Sequence, residues 1–489
     1  MTPTLETAAK PEGLRRIAID PLSRVEGHGK VTILLDDQQR VHQVRLHIVE
    51  FRGFERFIQG RPYWEVPVMV QRLCGICPVS HHLAAAKALD LVVGARQLTP
   101  TADRVRRLMH YGQILQSHAL HFFHLASPDL LFGFGSDPSK RNVVGVVAAQ
   151  PELARQGVLL RKFGQEVIRV TAGKRVHGTG AVPGGVNKHV TRAERDALKS
   201  ALPQVLEWAR SGVQLVSRLH LANRQRFDAF GAAPSNLLSL VGENGALELY
   251  DGTLRARDAD GKILFDGLDC QQYRSRIEEE VKSWSYMKFP YLAALGPQAG
   301  WYKVGPLARV QNCDGISTPM AEDERVAFRK AFDGAITHAP LAYHWARLIE
   351  LLHAAELIAR LLDDDALSEG ALTSSGPRRG EGVGVIEAPR GTLIHHYRVA
   401  PDDLVTMCNL IVSTTHNNTA MNEVIREVAR TELDGREPTE GLLNHVEVAI
   451  RAFDPCLSCA THALGQMPLV IDVLDSQGAL VHRLKRDPP

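Results

Sequence analysis

Cysteine is scarce in this chain. Seven in 489 residues is too few, and too odd a number, for a disulfide framework. Net charge is nearly absent as well: 57 Lys+Arg against 55 Asp+Glu leave +2, so no global basic field invites nucleic acid. No apolar run approaches the ~18 residues that a membrane span needs. The opening MTPTLETAAKPEGLRR lacks the apolar core of a secretory leader, and a cytoplasmic location is the expectation. Internal repeats and low-complexity tracts are missing, and no G-x-G-x-x-G follows a strand to cradle a dinucleotide. What is present is a globular balance, 44% apolar and 23% charged, which excludes a disordered or fibrous protein.

Patterning comes next. RIAID, GKVTILLDD and VHQVRLHIVEF, with DDQQ as a turn, predict a small N-terminal antiparallel sheet. From about residue 66 to 232 the period changes to three and four. Residues 66–97 read as helix, and 101–126 as a second helix capped by Thr101 or Asp103. A third helical stretch, 193–230, is expected to bend or break near Pro203. Residues 236–269 return to short strands and form a β-insert. Residues 343–364 carry the clearest amphipathic pattern. Residues 383–399 and 406–416 read as strands, and 468–486 as a hairpin around SQG. The predicted fold is α+β and mostly helical: a long-helix core, the N-terminal sheet and the insert near 236–269.

Four of the seven cysteines sit in two C-x-x-C pairs, Cys74/Cys77 and Cys456/Cys459. Cys270, Cys313 and Cys408 read as small buried hydrophobes. Two such pairs can supply four thiolates, which suits a structural zinc site, two separate redox motifs, or one shared site for a soft redox metal. Zinc ribbons keep their knuckles within a few tens of residues, whereas these pairs lie near opposite ends of the sequence. The first pair is followed by SHHLAAAKALDLVV, a buried-looking helix, and neither pair opens a thioredoxin-like βαβ unit. If the pairs meet, the chain is one large domain.

The neighbours of the pairs carry a resemblance. QRLCGICPVSHH and FDPCLSCATH, together with SRVEGHGK (23–30), FRGFE (51–55) and EAPRGTLIHHY (387–397), resemble the motifs of the large subunit of nickel–iron hydrogenases. They occur in that family's order and span essentially the whole chain. Segments such as VEFRGFERFIQG and GEGVGVIEAPRGTLIHHYR are most similar to the soluble, cytoplasmic, NAD-linked bidirectional subgroup.

The resemblance implies reversible heterolytic cleavage of H2. It implies that Cys74 and Cys456 bind nickel terminally and that Cys77 and Cys459 bridge nickel to an iron carrying two cyanides and one carbon monoxide. The Cys456 thiolate is then the first base, and Glu26 the acid that receives the proton next. Arg390 is implied to bond one cyanide over the open bimetal position, and Thr414 the second, with Ser413 standing where the family often has proline. His81 is expected to hydrogen-bond the Cys77 sulfur one helical turn away, and Asp454 to pair with Arg390 or orient its loop. Glu55, the Leu410 carbonyl and His462 match the ligands of a magnesium ion. Ser117 stands where many membrane-linked relatives carry an acid.

The same resemblance divides the chain into a catalytic domain, 1–462, and an extension, 463–489, that a maturation protease removes between His462 and Ala463. No further cysteine cluster could hold an electron relay. A small subunit with an iron–sulfur cluster is therefore expected, followed by diaphorase subunits that bind FMN and NAD. Its docking face should lie close to Cys74–Cys77 and stay partly apolar without its partner. The competing readings are a structural zinc protein with four cysteine ligands and a hydrogen-sensing regulatory subunit.

Overall fold

The computed structural model describes residues 13–48, 50–461, 469–474 and 480–486. Alternating apolar residues build β1 (Arg15–Ile19), β2 (Gly29–Leu35) and β3 (Val41–Ile48), antiparallel in that order. Ile17 stands opposite Ile33, and Ile33 opposite Val44, so one face is apolar and faces the core.

Residues 66–97 do not form one continuous helix. Short turns over Val66–Met69 and Val70–Leu73 stop at Cys74, which is extended. Helix α1 (Pro78–Val92) starts only after Cys77. Pro78 at its first position needs no hydrogen-bond partner for an amide and cannot continue a ladder from upstream. Helix α2 (Pro100–Leu120) is capped by Thr99, whose side chain accepts the Ala102 amide. Thr101, one of the two expected caps, instead donates its hydroxyl to the Glu369 carbonyl. After α3 (Pro151–Ala172), helix α4 (Arg192–Ala222) opens with a capping box between Thr191 and Glu194. It runs unbroken through Pro203, contrary to expectation. Pro203 is exposed, so the ladder bond it removes lies on a face open to water.

The insert is a sheet of β4 (Asn236–Val241), β5 (Thr253–Arg257) and β6 (Ile263–Leu268), with β7 (Tyr302–Lys303) parallel to β4. Helix α5 (Pro306–Asn312) follows, and then α6 (Ala342–Leu362). The pattern of α6 reads as amphipathic, and its polar positions are buried too: His344, Arg347, Glu350, His353 and Glu356. Its polar stripe faces other buried polar groups instead of solvent, a choice that periodicity cannot reveal.

The third sheet, β8 (Glu381–Ala388), β9 (Gly391–Val399) and β10 (Val405–Ile411), is antiparallel and nearly all buried. The last part of 406–416 is not strand: Ser413–His416 forms a helical turn. α7 (Asn418–Leu433) and α8 (Glu440–Ala452) complete the helical layer. β11 (Leu469–Leu474) and β12 (Leu480–Arg486) pair antiparallel, and the SQG turn between them lies outside the described residues.

Helix α1 lies directly on β8. A Cβ at Gly384 would stand 2.1 Å from the Ala84 carbonyl oxygen and 2.6 Å from the Ala88 amide nitrogen, so only glycine permits this approach. This packing carries the first cysteine pair, at the start of α1, to the turn between β8 and β9. Among the described residues no helix is long and apolar enough to cross a membrane.

Candidate metal centre

The two C-x-x-C pairs meet. Ligand atoms of Cys74, Cys77, Cys456 and Cys459 all lie within 4.8 Å of one another. The Cys74 and Cys456 sulfurs are 3.3 Å apart, and those of Cys77 and Cys459 are 3.6 Å apart. None of the four is in a disulfide, and all are buried inside an apolar cluster that includes Leu83, Leu393 and Val412.

Local geometry explains how each sulfur is aimed. The Cys74 sulfur accepts the amides of Ile76 and Cys77 at 3.2 and 3.1 Å, the turn that C-x-x-C spacing allows before a helix. On the other side, Asp454 adopts a left-handed φ of 54° before Pro455 and turns the chain inward. The Cys456 amide donates to the Thr414 hydroxyl at 2.9 Å. The Leu457 amide donates to the Glu26 carbonyl at 2.9 Å, joining the C-terminal pair to the loop between β1 and β2. Gly27 makes this approach possible: with φ +83°, its Cβ would stand 2.6 Å from the Ser458 amide nitrogen.

Glu26 points at the sulfurs. Its Oε2 accepts from the Cys456 thiol at 2.9 Å and from the Ser458 amide at 3.2 Å. Arg390 closes the opposite wall. Its Nε donates to the Asp454 carbonyl at 2.6 Å and its Nη2 to Asp454 Oδ1 at 3.1 Å. Among the described residues its Nη1 is buried without a protein partner. Thr414, Ser413, Pro389 and His81 line the remaining pocket.

The donor set fits a metal. Burial pushes the Cys456 and Cys459 thiols well above the ordinary range. Four apposed sulfurs in an apolar interior can ionise together only around a compensating cation. A guanidinium with one unpartnered arm and a carboxylate at 2.9 Å make the pocket chemically active, where a structural zinc site would be closed.

His81 Nε2 stands 3.4 Å from the sulfur of Cys459, which itself lies 3.6 Å from that of Cys77. Cys77 precedes α1 with non-helical φ −116° and ψ 38°. Glu55 lies further out, where its Oε1 accepts the Leu410 amide at 2.8 Å with the Lys288 ammonium 4.0 Å away. His462 and Ala463 lie outside the described residues.

Several contributors were not singled out from the sequence, although Glu387, His395 and Tyr397 lie in the EAPRGTLIHHY segment. His395 sits 3.1 Å behind His81 and Tyr397 2.6 Å behind His395. His177 Nε2 donates to the Cys74 carbonyl at 3.1 Å, since its Nδ1 must accept from Arg72 at 2.9 Å. A buried group of His118, Glu350, Arg309 and Glu387 backs the Arg390 turn. Glu387, the first residue of EAPRGTLIHHY, and the charged positions inside the 343–364 pattern were the available hints of it.

Four converging thiols on an α+β scaffold define a chain built to hold a thiolate-ligated metal centre. The pattern described as nickel-dependent hydrogenase matches residues 52–132 and 241–462, and one described as HoxL-like matches residues 16–51. This chain belongs to the nickel-dependent hydrogenase family. It is 47% identical to the NAD-reducing hydrogenase HoxS subunit beta of Cupriavidus necator, over 96% of this chain and 100% of that one. It is 40% identical to a chain of the F420-non-reducing hydrogenase of Methanothermobacter thermautotrophicus, over 96% and 100%. The crystal structure of an NAD+-reducing NiFe hydrogenase in the H2-reduced state superposes with TM-score 0.90 at 61% identity, covering 92% of this chain and 99% of that one. The Ni-Fe-Se hydrogenase of D. vulgaris Hildenborough shares the fold at 23% identity, with TM-score 0.74 and 92% and 100% coverage.

Proposed function

We propose that this chain is the catalytic subunit of a nickel–iron hydrogenase that cleaves H2 reversibly and delivers electrons toward NAD+. The observation that carries this reading is the convergence of four buried sulfurs within 4.8 Å, with the Glu26 carboxylate 2.9 Å from Cys456. Cys74, Cys77, Cys456 and Cys459 would hold nickel, and Cys77 and Cys459 would also hold iron. The sulfurs of Cys74 and Cys456 lie 3.3 Å apart, those of Cys77 and Cys459 3.6 Å, and those of Cys456 and Cys459 2.7 Å, so all four face one point; the division follows the family resemblance. Four soft thiolates suit a redox-active late metal. When bound, the bimetallic centre supplies the Lewis acidity that polarises H2.

The protein's own groups then manage the proton. The Cys456 sulfur accepts it and Glu26 Oε2 receives it next along the 2.9 Å contact. Arg390 Nη1 would bond one of two cyanides on an iron that also carries one carbon monoxide, and the Thr414 hydroxyl would bond the other. The unpartnered Nη1 supports the first assignment. His81 donates to a bridging sulfur, Cys459. Asp454 holds Arg390 in place. Glu55, the Leu410 carbonyl and His462 bind Mg2+, an assignment supported by the contact between Glu55 and Leu410.

Electrons leave near Cys74. Gly75 is exposed, and Phe51, Phe57, Trp64 and Val68 present apolar surface from the segment just before the first cysteine pair. A small subunit with an iron–sulfur cluster docks there, and diaphorase subunits with FMN and NAD follow. The assembly works in the cytoplasm. Residues 1–462 form the catalytic domain, and a maturation protease removes 463–489 after His462.

The test is made on the assembled complex. Elemental analysis should find nickel and iron without zinc, infrared spectra should show carbon monoxide and cyanide stretches, and H2 should drive NAD+ reduction. Zinc alone would overturn the reading. Nickel and iron without H2-dependent NAD+ reduction would move the chain to the hydrogen sensors.

A further inference from the structure

The guanidinium of Arg390 rides on the tight turn Pro389–Arg390 between β8 and β9, closed by the pair Ala388 and Gly391. That turn is gripped from behind by groups that touch none of the four cysteines. Arg309, on α5 and 1% exposed, donates from Nη1 to the Ala388 carbonyl at 2.9 Å and from Nη2 to the Pro389 carbonyl at 3.4 Å. Two carboxylates fix its orientation. Glu350 on α6 accepts from Nε and Nη2, both at 2.6 Å, and Glu387 accepts from Nη1 at 2.7 Å. The other oxygen of Glu387 accepts the Thr392 hydroxyl and the Leu240 amide, both at 2.8 Å, and so ties the two strands together below the turn. His118 Nε2 lies 3.0 Å from Glu350 Oε2. The side chains of Arg309, Glu350, Glu387 and His118 are wholly excluded from solvent.

Such a group is an expensive way to fill a core. Apolar residues of equal volume usually stabilise at least as well as a buried ion cluster. What the cluster supplies that leucines could not is direction: a planar fork held on two carboxylates and bonded to two consecutive carbonyls of one turn. Arg390 needs such support, because its own bonds run to Asp454 alone and its Nη1 projects unpartnered among the described residues.

We propose that Arg309, oriented by Glu350 and Glu387, is a positioning residue that sets where Arg390 Nη1 stands over the four-sulfur pocket. The inference rests on the reading of Arg390 as the donor to a cyanide on iron. Arg309 acts only through the 388–390 backbone.

The experiment uses the complete complex with Arg309→Lys, which keeps the charge and loses the fork. Nickel and iron content, infrared cyanide bands and H2/D+ exchange are measured, with Arg390→Lys in parallel. Arg309→Lys should keep its metals, shift the cyanide bands and lower exchange about 10-fold, the lower end of the effect of residues that orient metal-site groups. Arg390→Lys should shift the same bands. If Arg390→Lys leaves them unmoved, the reading of Arg390 fails. If Arg390→Lys moves them while Arg309→Lys leaves bands and rate at parent values, the positioning role is overturned. Should Arg309→Lys not fold, Glu350→Gln, which keeps a neutral acceptor for the fork, is judged by the same two outcomes.

Discussion

Glu26 stands in a loop of the kind that usually carries a solvated carboxylate, and nothing in its residue type separates it from other glutamates. Tertiary contact makes the difference. Its backbone carbonyl and its carboxylate both bond the segment that carries Cys456, so the side chain cannot swing away from the sulfur. Glu26→Gln preserves the shape and the amide contact but removes the proton acceptor. Metal content should stay at the parent level while H2/D+ exchange falls by about 10²–10⁴-fold, the usual worth of a positioned acid–base group. Exchange within threefold of the parent would remove Glu26 from the proton route. At this scale the four cysteines were legible, because their neighbours in QRLCGICPVSHH and FDPCLSCATH carry the family resemblance that C-x-x-C spacing alone leaves open. The contact between His81 and Cys459 was not, because it depends on how segments from opposite ends of the chain pack.

Among the elements, α1 and β8 matter most to the site, since their contact brings the first cysteine pair to the Arg390 turn. Gly384 and the alanines at 84–86 and 88 set that spacing. Gly384→Ala drives a Cβ into the Ala84 carbonyl at 2.1 Å. We expect a loss of about 3 kcal/mol, the upper end for overpacking, read as a lower thermal midpoint together with reduced nickel content. An unchanged midpoint with full nickel would show that α1 can shift without disturbing the sulfurs. Apolar periodicity located most helices and strands, yet it ran through Cys74–Cys77, and Pro203 suggested a bend or break where the helix continues. The first error arose because apolar residues flank a turn built around sulfur acceptors. The second arose because proline is tolerated where its lost bond faces water.

For the whole molecule, buried histidines set a distinctive response to acid. Burial pulls His82, His118 and His353 down to about 4 and His110 down to about 3. Unfolded histidines titrate near 6.5, so between pH 6.5 and about 4 the unfolded chain binds more protons and stability falls as pH falls. At full effect each of the three at about 4 is worth roughly 3 kcal/mol, and His110 roughly 5 kcal/mol. The denaturant midpoint should drop steeply from pH 7 to pH 5. His110→Gln, which can still donate to the Leu249 and Glu387 carbonyls, should make that drop shallower. Equal slopes for parent and variant would contradict this account. The surface around Phe57 and Trp64 is tested separately: Phe57→Glu with Trp64→Glu should leave the isolated chain folded but weaken its association with the iron–sulfur subunit. The sequence alone determined the chemistry available and the rough order of helices and strands, since residue type, spacing and periodicity are local properties. Only the tertiary structure decided which sulfur faces which, that Glu26 reaches Cys456, and that a buried ionic cluster stands behind Arg390. Those facts depend on how segments from opposite ends of the polypeptide pack, and short-range pattern does not encode the distance between residues remote in the chain.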